Sequence, residues 1–172
     1  MKKIIEDKNI LTLEEKNHIE NYILGLDFPF YWNDDQTRSD NLPFFGHTLK
    51  HRETKNINSY EYYFFEKIII RFCEKHKIKI NEILRACINL TYPLNVKRGA
   101  IHRDHNFPHK QILIYLTNSK NGYTYIFNNK NKIIKKIKPE KYKLVCFENV
   151  NHAASYPDYK EKRRVLTVFT FV

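Results

Sequence analysis

The chain has 172 residues, of which 42% are hydrophobic and 15% aromatic, and this composition predicts one folded domain and excludes a disordered chain. No apolar run approaches the roughly 18 residues of a membrane span, and charged residues follow Ile5 too soon for a signal peptide. Three widely spaced cysteines exclude a disulfide framework. We therefore expect a soluble cytoplasmic protein with no membrane partner.

The net charge of +11 is compatible with a nucleic-acid partner. However, the basic residues comprise 22 Lys and only 8 Arg, a bias that an AT-rich genome gives without selection for a polyanion. Readers of bases and phosphates rely more on Arg. A non-catalytic, basic nucleic-acid-binding protein therefore stays open as the less favoured reading.

The first half of the chain has helical patterns. Thr12 and Glu15 form a capping box ahead of an apolar helical face that ends at Gly25. Residues 28–57 are aromatic and irregular, and we expect loops and short strands there. A second helix is predicted to begin near Ser59, because aromatic and aliphatic residues then recur at helical spacing.

From about residue 86 the pattern changes to short strands that are rich in β-branched and aromatic residues. The predicted strands are 87–91, 100–104, 111–116, 123–127, 132–137, 144–147 and 165–172. Many short strands in so few residues predict an antiparallel sandwich or a barrel-like jelly roll. The chain is thus expected to be α+β, with a helical and irregular part over 1–85 and a β-rich catalytic core over 86–172.

His102 and Asp104 lie two residues apart on a predicted strand, so their side chains share one face. A second histidine on a later strand, His152, would complete three ligands on one side of a metal. Two histidines and one carboxylate with open positions suit non-haem Fe(II) oxygenases. His105 is the alternative histidine ligand in this segment.

Around this motif the sequence resembles the 2-oxoglutarate- and Fe(II)-dependent oxygenases of the prolyl-4-hydroxylase-like branch, in the short single-domain form of phages and microbes. The resemblance covers roughly residues 85–172. Besides the His-x-Asp motif, the segments that carry it are 114–117 with 121–124, 144–148 ahead of His152, and 163–169 on the last strand.

The resemblance implies Fe(II) held by His102, Asp104 and His152, with 2-oxoglutarate and O₂ as co-substrates and ascorbate as an optional reductant. It implies a cationic anchor for the distal carboxylate of 2-oxoglutarate. Counting back from Thr167 places the anchor at Arg163, which would share the inward face with residues 165, 167 and 169. Arg164 is the alternative if the register differs.

Three further co-substrate contacts follow from the same resemblance. They are Tyr115, Tyr92 and Thr124.

The implied fold is a double-stranded β-helix, the cupin-like jelly roll, with N-terminal helices packed on one sheet in a single domain over 1–172. The implied activity is hydroxylation of a peptidyl, prolyl-like or small-molecule C–H bond with release of succinate and CO₂. A metal-binding cupin-like sugar-binding or isomerase domain is the alternative of similar architecture. The sequence does not indicate the substrate or the oligomeric state.

Overall fold

The computed structural model describes residues 4–37 and 40–172, which form ten β-strands and two α-helices. The strands are β1 (Ile5–Asp7), β2 (Tyr31–Asn33), β3 (Phe44–Lys50), β4 (Ile83–Thr91), β5 (Lys110–Tyr115), β6 (Thr124–Phe127), β7 (Ile133–Ile137), β8 (Leu144–Glu148), β9 (His152–Ala154) and β10 (Arg164–Phe171). The helices are α1 (Leu13–His18), which continues into a π-helical turn (Ile19–Ile23), and α2 (Glu61–His76).

The strands form two antiparallel sheets. The larger sheet has seven strands in the order β1-β8-β5-β10-β4-β3-β2, and the smaller sheet has three in the order β7-β6-β9. Both parts of the chain contribute to the larger sheet, since β1 forms one edge, β2 and β3 form the other side, and β8, β5 and β10 lie between them. The protein is therefore mostly antiparallel β-structure with few helices.

Both predicted helices are confirmed. Thr12 accepts a hydrogen bond from the Glu15 backbone N–H, and the Glu15 carboxylate accepts one from the Thr12 N–H, so both halves of the capping box are present. The π-helical turn ends at Ile23, two residues before the predicted end. The second helix begins at Glu61, whose N–H donates to the Ser59 hydroxyl.

Six of the seven predicted strands are confirmed, because each overlaps one of β4, β5, β6, β7, β8 and β10. The prediction of a strand over 100–104 is wrong. That segment contributes a single bridge, between His102 and His152. Asp104 lies beyond this bridge, and its backbone carbonyl accepts a hydrogen bond from the Arg52 side chain.

The two faces of the larger sheet border two hydrophobic cores. On one face, Phe65 and Phe72 of α2 pack in one cluster with Ile88 of β4 and Phe169 of β10. On the other face, residues of β5 and β10 cluster with Ile126 and Ile137 of the smaller sheet. Successive side chains of a strand point to opposite faces, so strands such as β10 contribute residues to both cores and are buried on both sides. The candidate site lies between the two sheets.

Candidate functional site

A cavity opens between the two sheets, and all three predicted metal ligands line it. Strands β4, β5 and β10 contribute its wall through side chains such as Asn89, Leu113 and Leu166. A larger groove of ≈ 470 Å³ lies along α2, but its lining has no histidine and includes no part of the triad. The chemistry of the lining residues therefore points to the cavity between the sheets.

The candidate metal centre consists of His102, Asp104 and His152. One potential ligand atom from each residue lies within 4.8 Å of the others. The His152 Nε2 and Asp104 Oδ2 atoms are 3.6 Å apart, and the two imidazole ring centroids are separated by 4.4 Å. This is the only group of three or more such side chains found among residues 4–37 and 40–172.

Backbone pairing explains how two distant histidines meet. The His102 N–H donates to the His152 carbonyl at 3.0 Å, and the His152 N–H donates to the His102 carbonyl at 2.9 Å. In an antiparallel pair of this kind, side chains of directly opposed residues emerge on the same face. The bridge therefore places both imidazoles on one side of the smaller sheet, and Asp104 follows two residues after His102.

Each imidazole is held in one tautomer by a carbonyl. The Nδ1 atom of His102 lies 3.1 Å from the Ala100 carbonyl oxygen, and the Nδ1 atom of His152 lies 3.1 Å from that of Val150. A carbonyl oxygen only accepts, so Nδ1–H must donate and Nε2 keeps its lone pair. Metal-ligating histidines use their second nitrogen in this way.

Electrostatics keep the aspartate charged and one histidine neutral. Burial alone would raise the pKa of Asp104, but its electrostatic interactions with His152, Arg85, His102 and Arg52 lower it to about 2. Burial lowers the pKa of His152 to about 4, although the Asp104 carboxylate opposes that change. Metal binding requires an ionised carboxylate and a neutral imidazole, and both groups are in these states at neutral pH.

Arg164 points into the cavity. Its guanidinium donates from Nη1 to the Gly122 carbonyl at 2.8 Å, and its buried Nε has no hydrogen-bond partner. Burial lowers its pKa, whereas Tyr115 and Tyr156 act in the opposite direction. A buried guanidinium with an unused donor is suited to binding an anion such as a carboxylate.

The predicted register of the last strand is wrong. Arg164, Leu166 and Val168 line the cavity, whereas Val165 and Phe169 pack into the helix-covered core. Arg163 lies just before β10, and its guanidinium donates outward to the Leu24 carbonyl at 3.0 Å. The sequence pattern did not distinguish the two faces because every residue of β10 is buried.

The other predicted contact residues divide into two groups. The Tyr115 hydroxyl is fully buried and donates to the Thr124 hydroxyl at 2.8 Å, and Thr124 lines the cavity. Tyr92 does not line the cavity, because it follows the end of β4 and its ring packs against Trp32 and Phe45.

His105, the alternative ligand, lies outside the candidate metal group and contacts the Thr170 hydroxyl at 3.1 Å.

Two features of the site were missed by sequence reasoning. Tyr156 has a buried hydroxyl without a hydrogen-bond partner, and it is close enough to Arg164 to influence its pKa. Asn89 lines the cavity and has an unpartnered buried Oδ1 atom. Neither residue belongs to a motif. Alternation along β4 from Thr91 was the one signal that could have indicated Asn89.

No protein-family model and no curated protein matches the sequence. Several solved structures do match. An oxidoreductase of the 2OG-Fe(II) oxygenase family from Burkholderia pseudomallei superposes with a TM-score of 0.75 at 11% sequence identity. The match covers 98% of this chain and 84% of that chain. A Trichoplax adhaerens prolyl hydroxylase in complex with a hypoxia inducible factor peptide fragment gives 0.65 at 16% identity, covering 98% and 83%.

A viral collagen prolyl hydroxylase from Paramecium Bursaria Chlorella virus-1, in a 2-oxoglutarate complex, gives a TM-score of 0.58 at 14% identity, covering 98% of this chain and 95% of that one. The chain therefore has the fold of the 2-oxoglutarate-Fe(II) oxygenases, as the sequence resemblance predicted. At these identities the likeness establishes the fold, and the chemistry must be argued from the site.

None of the helices among residues 4–37 and 40–172 combines the length and the apolar character that crossing a membrane requires.

Proposed function

We propose that this protein is an Fe(II)- and 2-oxoglutarate-dependent dioxygenase that hydroxylates a C–H bond and releases succinate and CO₂. The observation that carries the proposal is a shared cavity: three ligand atoms within 4.8 Å of one another and a buried guanidinium with an unpartnered Nε both line it. A metal cation and a dicarboxylate are the two species that such a cavity would accept together.

The residues present fit iron. His102, Asp104 and His152 form the two-histidine, one-carboxylate set that leaves coordination positions open on non-haem Fe(II). Both imidazoles present Nε2 because their Nδ1–H groups are engaged by carbonyls. When bound, the iron supplies the oxidation of the substrate by O₂, coupled to decarboxylation of 2-oxoglutarate.

The residues present also fit 2-oxoglutarate. Arg164 is proposed to bind its distal carboxylate through Nε and a neighbouring guanidinium nitrogen, while Nη1 stays on the Gly122 carbonyl. The Thr124 hydroxyl, positioned by Tyr115, offers a further donor. Apolar side chains of β5 and β10 line the wall between Arg164 and the triad and would exclude water.

At the level of the whole chain, we propose a single jelly-roll domain over 1–172. The two antiparallel sheets that enclose a shared hydrophobic cluster support this arrangement. The buried residues of α2 that cluster with the opposite face of the larger sheet support a helical layer on that side.

For the substrate, we propose a peptidyl, prolyl-like or small-molecule C–H donor. Support comes from the relatives of this fold, which include a prolyl hydroxylase solved with a peptide fragment. Ascorbate is proposed as the reductant that restores ferrous iron, and the cytoplasm as the location.

The two alternatives have weaker support. A cupin-like sugar-binding or isomerase domain would use the same triad, but it has no need of a buried arginine facing the metal site. Nucleic-acid binding rests on net charge, and several of the lysines are paired with carboxylates, such as Lys143 with Glu6 and Lys141 with Glu20. No contact in the described residues favours either alternative.

The test is binding followed by turnover. Anaerobic addition of Fe(II) and 2-oxoglutarate to the metal-free protein should give a visible absorption band, and O₂ should then cause release of succinate. His102→Ala and Asp104→Ala should abolish both, whereas His105→Ala should leave the absorption band in place. Turnover that persists in the Asp104→Ala variant would overturn the assignment.

A further inference from the structure

Two arginines from distant parts of the chain converge on the carboxylate of Asp104. Arg52, in the connection between β3 and α2, donates from Nη2 to Asp104 Oδ1 at 3.4 Å and from Nη1 to the Asp104 carbonyl at 2.5 Å. Arg85 on β4 donates from Nη1 to the same Oδ1 atom at 3.3 Å. Asp104 is therefore held through one oxygen of its carboxylate and through its backbone carbonyl.

The second oxygen of Asp104 has a different environment. Oδ2 lies 3.6 Å from His152 Nε2, which is the nitrogen left free for a metal. The two oxygens are thus divided between two tasks, since Oδ1 faces guanidinium groups and Oδ2 faces the other candidate ligands. Oδ1 already accepts from two guanidinium groups, so a carboxylate that used both oxygens on the metal would have to give up at least one of these contacts.

We propose that Arg52 and Arg85 are positioning residues that fix Asp104 as a ligand through Oδ2 alone. The inference rests on the proposed metal site and extends it to two residues that are not ligands. Hydrogen bonds to the non-ligating oxygen orient a ligand before the metal arrives, and loss of such partners typically weakens metal affinity. A one-oxygen ligand also leaves more of the metal's coordination sphere open to co-substrates.

Charge and positioning predict opposite effects, which makes the proposal testable. A guanidinium near a divalent cation repels it, so removal of an arginine that acted only through charge would tighten metal binding. Removal of an arginine that holds Asp104 in place would instead weaken metal binding, even though a positive charge is lost. The sign of the change separates the two roles.

Arg103 provides the matched control. It is adjacent to Asp104 in the sequence, but its guanidinium donates to the Asn151 side chain at 2.7 Å. Substitution of Arg103 by methionine removes a charge from the same neighbourhood without removing a contact to the carboxylate.

The experiment is a titration of metal-free protein with Mn(II), with free Mn(II) followed by electron paramagnetic resonance. Arg85→Met and Arg52→Met should each weaken Mn(II) affinity by about 10- to 100-fold, whereas Arg103→Met should leave it unchanged or slightly tighter. Arg85→Lys, which restores a cationic donor, should recover part of the loss. Thermal unfolding of each metal-free variant shows whether its fold is intact, and the more exposed Arg52 offers a second test if Arg85→Met does not fold.

The outcomes separate this inference from the proposed function. Affinities of Arg52→Met and Arg85→Met that equal or exceed that of Arg103→Met would overturn the positioning role while leaving the metal site in place. Absence of Mn(II) binding by the unsubstituted protein, or binding that His102→Ala does not change, would overturn both.

Discussion

Gly122 lies against the side chain of Arg164. The Gly122 carbonyl accepts a hydrogen bond from Arg164 Nη1, and a Cβ atom at Gly122 would come within 2.7 Å of Arg164 Cδ and 3.0 Å of Ser119 Oγ. The absence of a side chain at position 122 therefore lets the guanidinium lie where it does.

Gly122→Ala should displace Arg164 and raise the KM for 2-oxoglutarate. Misplacement of a binding group by about 1 Å can reduce catalysis about 100-fold, so a rise of about 10- to 100-fold is expected. Steady-state kinetics with varied 2-oxoglutarate measure it. Gly99→Ala is the control, because its Cβ would meet its nearest neighbours at 3.4 Å or beyond. An equal KM in both variants would contradict the role of Gly122.

Arg164→Met should abolish measurable 2-oxoglutarate binding, because it removes the buried guanidinium whose Nε has no partner and which lines the cavity. Arg163→Met should leave binding nearly unchanged, since that side chain contacts the Leu24 carbonyl on the surface. Calorimetric titration of 2-oxoglutarate into the Mn(II)-loaded protein distinguishes the adjacent arginines. A larger loss from Arg163→Met would restore the register that the sequence first suggested.

The hydrogen bond between Tyr115 and Thr124 should contribute measurably to stability. Both hydroxyls are buried, so removal of one leaves the other without its partner, at a cost of about 1–3 kcal/mol. Urea unfolding of Tyr115→Phe, Thr124→Val and the double variant gives the coupling energy. We expect the double variant to be less destabilised than the sum of the single variants, and strict additivity would show that the bond contributes nothing.

Asp7 should make stability depend on pH under acidic conditions. Burial would raise the pKa of this carboxyl, but Lys75, the Asn9 backbone N–H and His76 lower it from an ordinary value of 3.8 to about 2. Because the folded pKa lies below the unfolded one, the stabilisation is complete above about pH 4 and is lost as the pH falls toward 2. The free energy of unfolding of Asp7→Asn should therefore fall less steeply over this interval than that of the unsubstituted protein. If the two curves of unfolding free energy against pH were parallel over this interval, Asp7 would not contribute to the pH dependence.

Local sequence was sufficient for some of these features. The capping box of Thr12 and Glu15 depends on residues three apart, and both of its hydrogen bonds are present. The spacing of His102 and Asp104 likewise indicated two side chains on one side of the chain. The segment nevertheless forms one bridge rather than a strand. The predicted closeness of the two side chains is therefore correct, although the secondary structure from which it was predicted is partly wrong.

Other features depend on tertiary contacts that no local pattern carries. The sequence could not indicate which residues of β10 face the cavity, because the alternation between polar and apolar residues disappears when both faces of a strand are buried. The family resemblance implied a co-substrate contact for Tyr92, but Tyr92 lies beyond the end of β4 and packs on Trp32. Arg52 reaches Asp104 from a loop 52 residues earlier, and only the folded chain brings them together.

The reciprocal backbone bonds between His102 and His152 have a mechanical consequence. Any motion that peels residues 100–104 away from β9 must break both bonds and separate the two imidazoles in the same movement. Opening that border of the smaller sheet and dismantling the ligand set are therefore a single conformational event.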